Sequence, residues 1–170
     1  SSAASDVYKR QGLEYMHANG IMHRDIKPDN ILMSNELVCK ISDFGVSKMI
    51  WESGSDLVHQ SVGTPAFMSP ELCHIGAVES HGYSDDVWAL GITLYALLMG
   101  RLPFYRDDLF ELYEAIQHDE LCLKDCRASP ACQDLLRSML DKAEPNRISV
   151  PDMFKPVSYT HLTLPTSDLV

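Results

Sequence analysis

The sequence predicts an α+β domain that is mainly helical, with short β-hairpins between its helices. Residues 85–100 are apolar on almost every face, which indicates a helix buried at the centre of a domain. Residues 109–116 and 131–140 carry apolar side chains at helical spacing and predict two amphipathic helices. Upstream, residues 31–33 and 38–41 are short apolar runs on either side of a polar tripeptide, which is typical of a small hairpin.

Two further segments complete the predicted order of elements. Residues 12–19 have the apolar spacing of the last turns of a helix, and Gly20 stands where a left-handed C-cap ends one. Residues 47–63 are polar, contain glycine and have no sustained period, so we expect a mobile surface loop there.

Composition and charge exclude several classes of function. The chain has 170 residues, of which 45% are hydrophobic, enough for the core of one domain. Its formal net charge of -10 has the wrong sign for non-specific binding to nucleic acid or to an anionic membrane. The longest nearly apolar run, residues 87–99, falls short of the roughly 20 residues that cross a bilayer. We therefore expect neither nucleic acid nor membrane as a partner.

The cysteines indicate a reduced, cytoplasmic protein. There are five of them, without a C-x-x-C pair or a second pair at zinc-finger spacing. Cys122, Cys126 and Cys132 form a cluster, but with no histidine in register we interpret it as ordinary packing. No metal-binding cysteine is assigned.

Both ends of the chain read as adapter-derived sequence. The DNA for residues 1–11, reverse-complemented and read in another frame, can encode residues 157–166. We therefore expect residues 1–11 and 157–170 to be artefacts and set them aside. Residues 12–156 then form the domain, cut from something longer.

The chemistry lies in four short motifs. Residues 23–30 read His-Arg-Asp-Ile-Lys-Pro-Asp-Asn, and residues 43–45 read Asp-Phe-Gly. Residues 63–71 read Gly-Thr-Pro-Ala-Phe-Met-Ser-Pro-Glu, and residues 145–148 read Pro-Asn-Arg-Ile. An isolated aspartate in such a run is usually a cap, a turn or a surface carboxylate. Together, however, the motifs resemble the eukaryotic protein kinases of the serine/threonine type.

That resemblance implies a phosphoryl-transfer site that uses ATP and Mg²⁺. Asp25 would act as the base that orients the acceptor hydroxyl, and Lys27 would neutralise charge on the moving phosphoryl group. Asn30 and Asp43 would hold the metal and the nucleotide, because hard cations take carboxylate and amide oxygens. Leu32 is expected beside the nucleotide.

The resemblance also assigns supporting residues. Thr64 would hydrogen-bond Asp25 and Lys27 at the catalytic centre. Structural roles fall to His23, which packs beneath Phe44, to Glu71 and Arg147, which form a buried ion pair, and to Asp86, which anchors the catalytic loop. Ser69 replaces the alanine usual in the family, a change expected to be small.

Regulation and partners are implied more loosely. Arg24 beside the base is typical of kinases ordered by phosphate, and Ser61 is the leading phosphosite candidate, ahead of Ser53 and Ser55. The activation segment resembles that of calcium/calmodulin-dependent kinase kinases, which implies a protein substrate that is itself a kinase. Acidic residues around position 110 favour a basic substrate segment or, equally, form a solvated face. Calmodulin is a partner of such kinases, but no segment of this sequence indicates it.

The resemblance covers only the large, C-terminal lobe of a kinase. The glycine-rich loop, the strand lysine and its partner glutamate would lie upstream of Gly12, so the small lobe is missing. We therefore expect the chain itself to be inactive and its intact parent to be a kinase. The alternatives are a pseudokinase or scaffold module, and the product of a truncated transcript with no stable function.

Overall fold

The computed structural model describes residues 12–50, 54–59, 62–74 and 79–154. Five α-helices lie within these ranges, connected by loops, short strands and single 3₁₀ turns. They are α1 (Gly12–Ala18), α2 (Gly82–Met99), α3 (Leu109–His118), α4 (Pro130–Met139) and α5 (Val150–Met153). Among the described residues none of the helices combines the length and apolarity that a bilayer crossing demands.

Within the described residues the strands form three antiparallel pairs, one a hairpin and two that join segments distant in sequence. They are β1 (Ile21–Met22) with β4 (Lys48–Met49), β2 (Ile31–Met33) with β3 (Cys39–Ile41), and β5 (Leu57–Val58) with β6 (Ser80–His81). The hairpin of β2 and β3 is the one predicted, with Ile31 opposite Ile41 and Met33 opposite Cys39.

The expectation of an irregular loop over residues 47–63 is wrong in part, because β4 and β5 lie inside it. Each of these strands has two residues and pairs with a segment distant in sequence. A two-residue strand is too short to show a period of two, so sequence pattern cannot reveal it.

Helix α2 is the centre of the fold, as predicted. Trp88, Ile92 and Tyr95 are fully buried in a cluster with α3 and α4, and Val87 belongs to a second cluster with α1 and α5. The helix begins at Gly82, three residues before the predicted start, and a side chain at that position would collide with Met22. Burial on every side explains why the segment is apolar all round.

Local capping determines where the predicted helices begin and end. Gly100 follows α2 with φ 66 and donates its backbone N–H to the Ala96 carbonyl, which closes the last turn. Asp108 accepts a hydrogen bond from the backbone N–H of Glu111 and begins α3. Ser129 accepts a hydrogen bond from the backbone N–H of Cys132 and begins α4, whose first residue is a proline.

Candidate active site

Asp25 lies in the loop after β1, at the centre of a compact polar network. Its Oδ1 accepts hydrogen bonds from the Thr64 hydroxyl at 2.8 Å and the Thr64 backbone N–H at 3.0 Å. Its Oδ2 forms an ion pair with Lys27 Nζ at 2.9 Å and accepts from Asn30 Nδ2 at 3.2 Å. Lys27 Nζ also donates to Thr64 Oγ1 at 2.8 Å. The structure thus brings four predicted catalytic residues into direct contact.

These contacts keep Asp25 ionised. Partial burial acts to raise its pKa, but hydrogen bonds from Lys27 and Thr64 outweigh it and lower the pKa below the ordinary 3.8. The Asp25 side chain stays 15% exposed, so it can be reached from solvent. A fixed, ionised and accessible carboxylate can accept a hydrogen bond from the hydroxyl group of an approaching substrate.

Asn30 and the segment that carries Asp43 are joined through Ser42. Ser42 donates its backbone N–H and its hydroxyl to the Asn30 carbonyl, at 2.8 and 3.0 Å. Asn30 Nδ2 donates to the Asp25 carbonyl at 2.8 Å, so the amide oxygen is left for another partner. Asp43 is exposed, has φ 61, and accepts from the Gly45 N–H at 3.2 Å through Oδ1. The hairpin register and Ser42 thus connect Asn30, which contacts Asp25, to the residue that precedes Asp43.

These residues fit a magnesium ion bound together with a nucleotide. The described residues contain no cluster of three or more His, Cys, Asp or Glu that could hold a metal alone. Mg²⁺ in phosphoryl-transfer sites takes one or two protein oxygens, and the substrate phosphates and water supply the rest. Asn30 Oδ1 and the Asp43 carboxylate match that donor set. Leu32 is 56% exposed on β2 of the same hairpin.

Asp86, fully buried near the start of α2, fixes the backbone of the Asp25 loop. Its Oδ2 accepts from the His23 N–H and its Oδ1 from the Arg24 N–H, both at 2.8 Å. Arg24 has φ 72, a left-handed conformation that is strained for a residue with a side chain. Two hydrogen bonds to a buried carboxylate hold this conformation, which turns the next residue, Asp25, into the network.

His23 is fully buried and lies against Phe44, with ring centroids 5.3 Å apart in an edge-on arrangement. The predicted contact is present, but the ring is also hydrogen-bonded. His23 Nδ1 accepts from the Asp25 N–H at 3.2 Å, and Nε2 lies 3.0 Å from the Ser42 carbonyl. This pattern assigns the tautomer with its proton on Nε2. His23 therefore links the loop of the base to the segment that carries Asp43.

Glu71 and Arg147 form the predicted ion pair beneath the 63–71 segment. Arg147 NH1 and NH2 donate to the two Glu71 oxygens at 2.6 and 3.0 Å, in a bidentate arrangement. The Arg147 side chain is fully buried and the Glu71 side chain is 12% exposed. The guanidinium also lies 5.1 Å above the Trp88 ring.

Comparison with known proteins identifies the family. The model of the protein kinase domain matches residues 6–157. The chain belongs to the protein kinase domain family. Its helices and short sheets are those of a kinase-like fold.

Several curated kinases are similar to this kinase domain. Calcium/calmodulin-dependent protein kinase kinase cmkC of Emericella nidulans is 41% identical over 142 residues, which cover 84% of this chain and 27% of the relative. Serine/threonine-protein kinase GRIK2 of Arabidopsis thaliana is 36% identical, with 84% of this chain and 34% of the relative covered. Serine/threonine-protein kinase STK11 of Rattus norvegicus is 38% identical, with 82% of this chain and 32% of the relative covered. The chain spans about a quarter to a third of the length of these relatives.

Sequence reasoning missed one histidine that supports this kinase site. His17, on α1, places Nε2 2.9 Å from Asp86 Oδ2, and its ring centroid lies 4.3 Å from that of Tyr83 with the planes tilted by 35°. It gives the loop-anchoring carboxylate a third partner. A histidine in an amphipathic helix carries no sequence signal of such a role, because its partner lies 69 residues away.

A buried carboxylate was also missed, and with it the importance of Ser69. Asp85 is only 6% exposed, and its oxygens accept from Ser69 Oγ at 2.6 Å and Ser80 Oγ at 2.7 Å. Serine at position 69, expected to be a small change from alanine, donates a hydrogen bond to Asp85 that an alanine cannot supply. Ser61, the phosphosite candidate, lies outside the described residues.

Proposed function

We propose that this chain is the large lobe of a serine/threonine protein kinase whose longer parent transfers the γ-phosphate of ATP to a protein hydroxyl. The observation that carries the proposal is the network in which Thr64, Lys27 and Asn30 all contact the Asp25 carboxylate. These contacts fix a carboxylate that is still 15% exposed and can be reached by a substrate hydroxyl. The relatives named as serine/threonine-protein kinases support the same substrate class.

In this reaction the residues of the chain orient the substrate hydroxyl and neutralise the negative charge of the transferred phosphoryl group. Asp25 accepts the hydrogen bond of the substrate hydroxyl and then its proton, while Thr64 and Lys27 keep the carboxylate in place. Lys27 Nζ, positioned beside Asp25 Oδ2, offsets negative charge on the transferred group. Asn30 and Asp43 would hold Mg²⁺, which when bound neutralises the phosphate oxygens of ATP.

We expect the chain alone to be inactive, because a kinase binds the nucleotide with a glycine-rich loop, a strand lysine and its partner glutamate, which would lie upstream of Gly12. The hairpin of β2 and β3 supports this expectation, because its apolar residues Leu32, Met33, Leu37 and Val38 are 47–78% exposed. Phe44, which follows the hairpin, is 52% exposed. Contiguous exposed apolar side chains mark a surface that another part of a protein covers. We infer that an upstream small lobe covers it.

In this proposal residues 12–156 are the large lobe, and residues 1–11 and 157–170 are adapter-derived.

Regulation follows from Arg24. Burial lowers its pKa while the charges of Asp85 and Asp86 act in the opposite direction, and its Nε is buried without a hydrogen-bond partner among the described residues. Such a guanidinium favours an anion. Phosphorylated Ser61 is our proposed source, in a cytoplasmic kinase similar to calcium/calmodulin-dependent kinase kinases. We further propose that the substrate is itself a kinase and that calmodulin regulates the longer parent, as the name of the relative cmkC suggests.

The test compares this chain with the longer protein obtained from the full open reading frame. We expect the longer protein to transfer radiolabelled phosphate from ATP to a protein substrate, and this chain to transfer none. Activity in the isolated chain would overturn the claim that a small lobe is needed. A longer protein without the glycine-rich loop and strand lysine, and without activity, would favour a scaffold instead.

A further inference from the structure

Asp85 is a buried carboxylate that phosphoryl transfer does not use. It lies on α2 next to Asp86, but the two carboxylates have different hydrogen-bond partners. Asp86 holds the catalytic loop, whereas Asp85 joins Ser69, in the segment that follows Thr64, to Ser80 on β6. All three side chains are almost fully buried, with exposures of 6%, 1% and 1%.

The position of Ser69 gives this triad a consequence for the site. Ser69 lies between two 3₁₀ turns, Pro65–Phe67 and Pro70–Cys73, and its carbonyl accepts the Leu72 N–H at 3.0 Å. The first turn follows Thr64 directly, and Thr64 holds the base. A small cavity behind this segment is lined by Thr64, Met68, Ser69 and Asp85. Any change at Asp85 therefore reaches the segment that faces the protein substrate.

We propose that Asp85 is a positioning residue for the substrate-facing segment 64–72, which it holds to α2 through Ser69, and that ionisation of this buried carboxyl favours opening of the segment. The claim that segment 64–72 faces the substrate rests on the proposed function. The attachment of this segment to α2 through the bond between Ser69 and Asp85 does not.

Charged neighbours surround Asp85 from each packed element. Arg24 from the catalytic loop and Arg147 from the loop after α4 favour the ionised carboxylate. Glu71, from the second turn, disfavours it, and Asp86 adjoins it on α2. Cys73 is a neutral thiol, since burial raises its pKa to about 12. Among the described residues no ion pair within 4.0 Å joins Asp85 to either arginine, and the hydroxyls of Ser69 and Ser80 donate hydrogen bonds to it.

Burial raises the pKa of Asp85 from 3.8 to about 7, although the bonds from Ser69 and Ser80 act to lower it. The closed segment thus prefers the neutral acid, while an opened segment would expose Asp85 with an ordinary pKa. The contribution of Asp85 to the stability of the closed segment is greatest below pH 3.8 and is lost as the pH rises to about 7. Opening should increase about tenfold per pH unit between pH 5 and 6.5 and level off above pH 7.

Amide hydrogen exchange of this chain between pH 5 and 8 tests the proposal. The reporters are the N–H groups of Phe67, Met68 and Leu72, which donate within the two turns, and the reference is the Asp119 N–H at the end of α3. After correction for intrinsic exchange rates, we expect the three reporters to open more as the pH rises and the reference to change little.

Two pairs of variants separate positioning from general stability. Asp85→Asn should abolish the pH dependence, while Asp134→Asn, at a site 78% exposed, should leave it intact. Ser69→Ala should speed exchange of the reporters at every pH, and Ser80→Ala, which leaves the Ser69 bond in place, should do so less. The proposal is overturned if Asp85→Asn retains the pH step, if the two serine variants behave alike, or if the reporters show no protection at any pH.

An assay on the longer kinase separates this proposal from the proposed function. We expect the KM for protein substrate to rise with pH in the parent and to be flat in Asp85→Asn, with the KM for ATP unchanged in both. A longer protein without kinase activity defeats the proposed function, yet the exchange experiment still decides the hold at Asp85. An active kinase whose substrate KM has the same pH profile in both forms defeats the positioning role.

Discussion

Replacing Arg147 by alanine should strongly destabilise the fold of the chain rather than merely alter its chemistry. The substitution removes both hydrogen bonds to Glu71 and leaves that carboxylate, 12% exposed, beneath the 63–71 segment without its counter-charge. It also removes bonds from the guanidinium to the Asp141 carbonyl at 3.1 Å and to Ser84 Oγ at 3.1 Å, together with the contact to Trp88.

Breaking a buried ion pair from one side costs about 3–5 kcal/mol, because the remaining charge stays buried and uncompensated. For a chain of this size each kcal/mol lowers Tm by about 2–4 °C, so we expect a loss on the order of 10 °C. Thermal and urea unfolding followed by circular dichroism would measure it. Arg137→Ala is the matched control, since Arg137 is 55% exposed and its partner 78%, and should cost under about 1 kcal/mol. A Tm for Arg147→Ala within a degree or two of the parent would refute the reasoning.

Three further outcomes follow from the packing and charge of the site. Gly91→Ala should destabilise the chain by about 1–3 kcal/mol in urea, because the new methyl group would lie 2.9 Å from Leu140 Cδ2; unchanged stability would contradict this. Gly63→Ala should reduce phosphoryl transfer by the longer protein more than it reduces Tm, because a Cβ there meets the Arg24 carbonyl at 2.6 Å at φ 106; equal activity would be the contrary result. Because hydrogen bonds lower the pKa of Asp25 below 3.8, the pH–rate profile of the longer protein should show no ionisation of this carboxylate above pH 5, and an acidic limb above that pH would argue otherwise.

Much of the architecture could be predicted because it follows local rules. The all-round apolar pattern of α2, the proline and serine before α4, and the apolar runs of the hairpin all act within a few residues. The site could be predicted for a different reason. Its residues cluster in motifs, and the hydrogen bonds of Ser42 to the Asn30 carbonyl then connect the motif that carries Asn30 to the motif that carries Asp43.

The remaining features depend on contacts that no local pattern encodes. Ser69 and Ser80 look like ordinary polar loop residues until the fold places both against Asp85. His17 is likewise an unremarkable helix residue until Asp86 lies beside it. In each case a side chain acquires its partner only through long-range packing, so its burial and hydrogen bonds become visible only in three dimensions.

The central claim is that Asp25, Asn30 and Asp43 act together in transferring phosphate. The most direct test measures phosphate transfer from ATP by the longer protein carrying Asp43→Asn, with Asp134→Asn as the control. We expect Asp43→Asn to lose at least about 100-fold in kcat while keeping its fold by circular dichroism, and the control to retain activity. Full activity in Asp43→Asn would contradict the account.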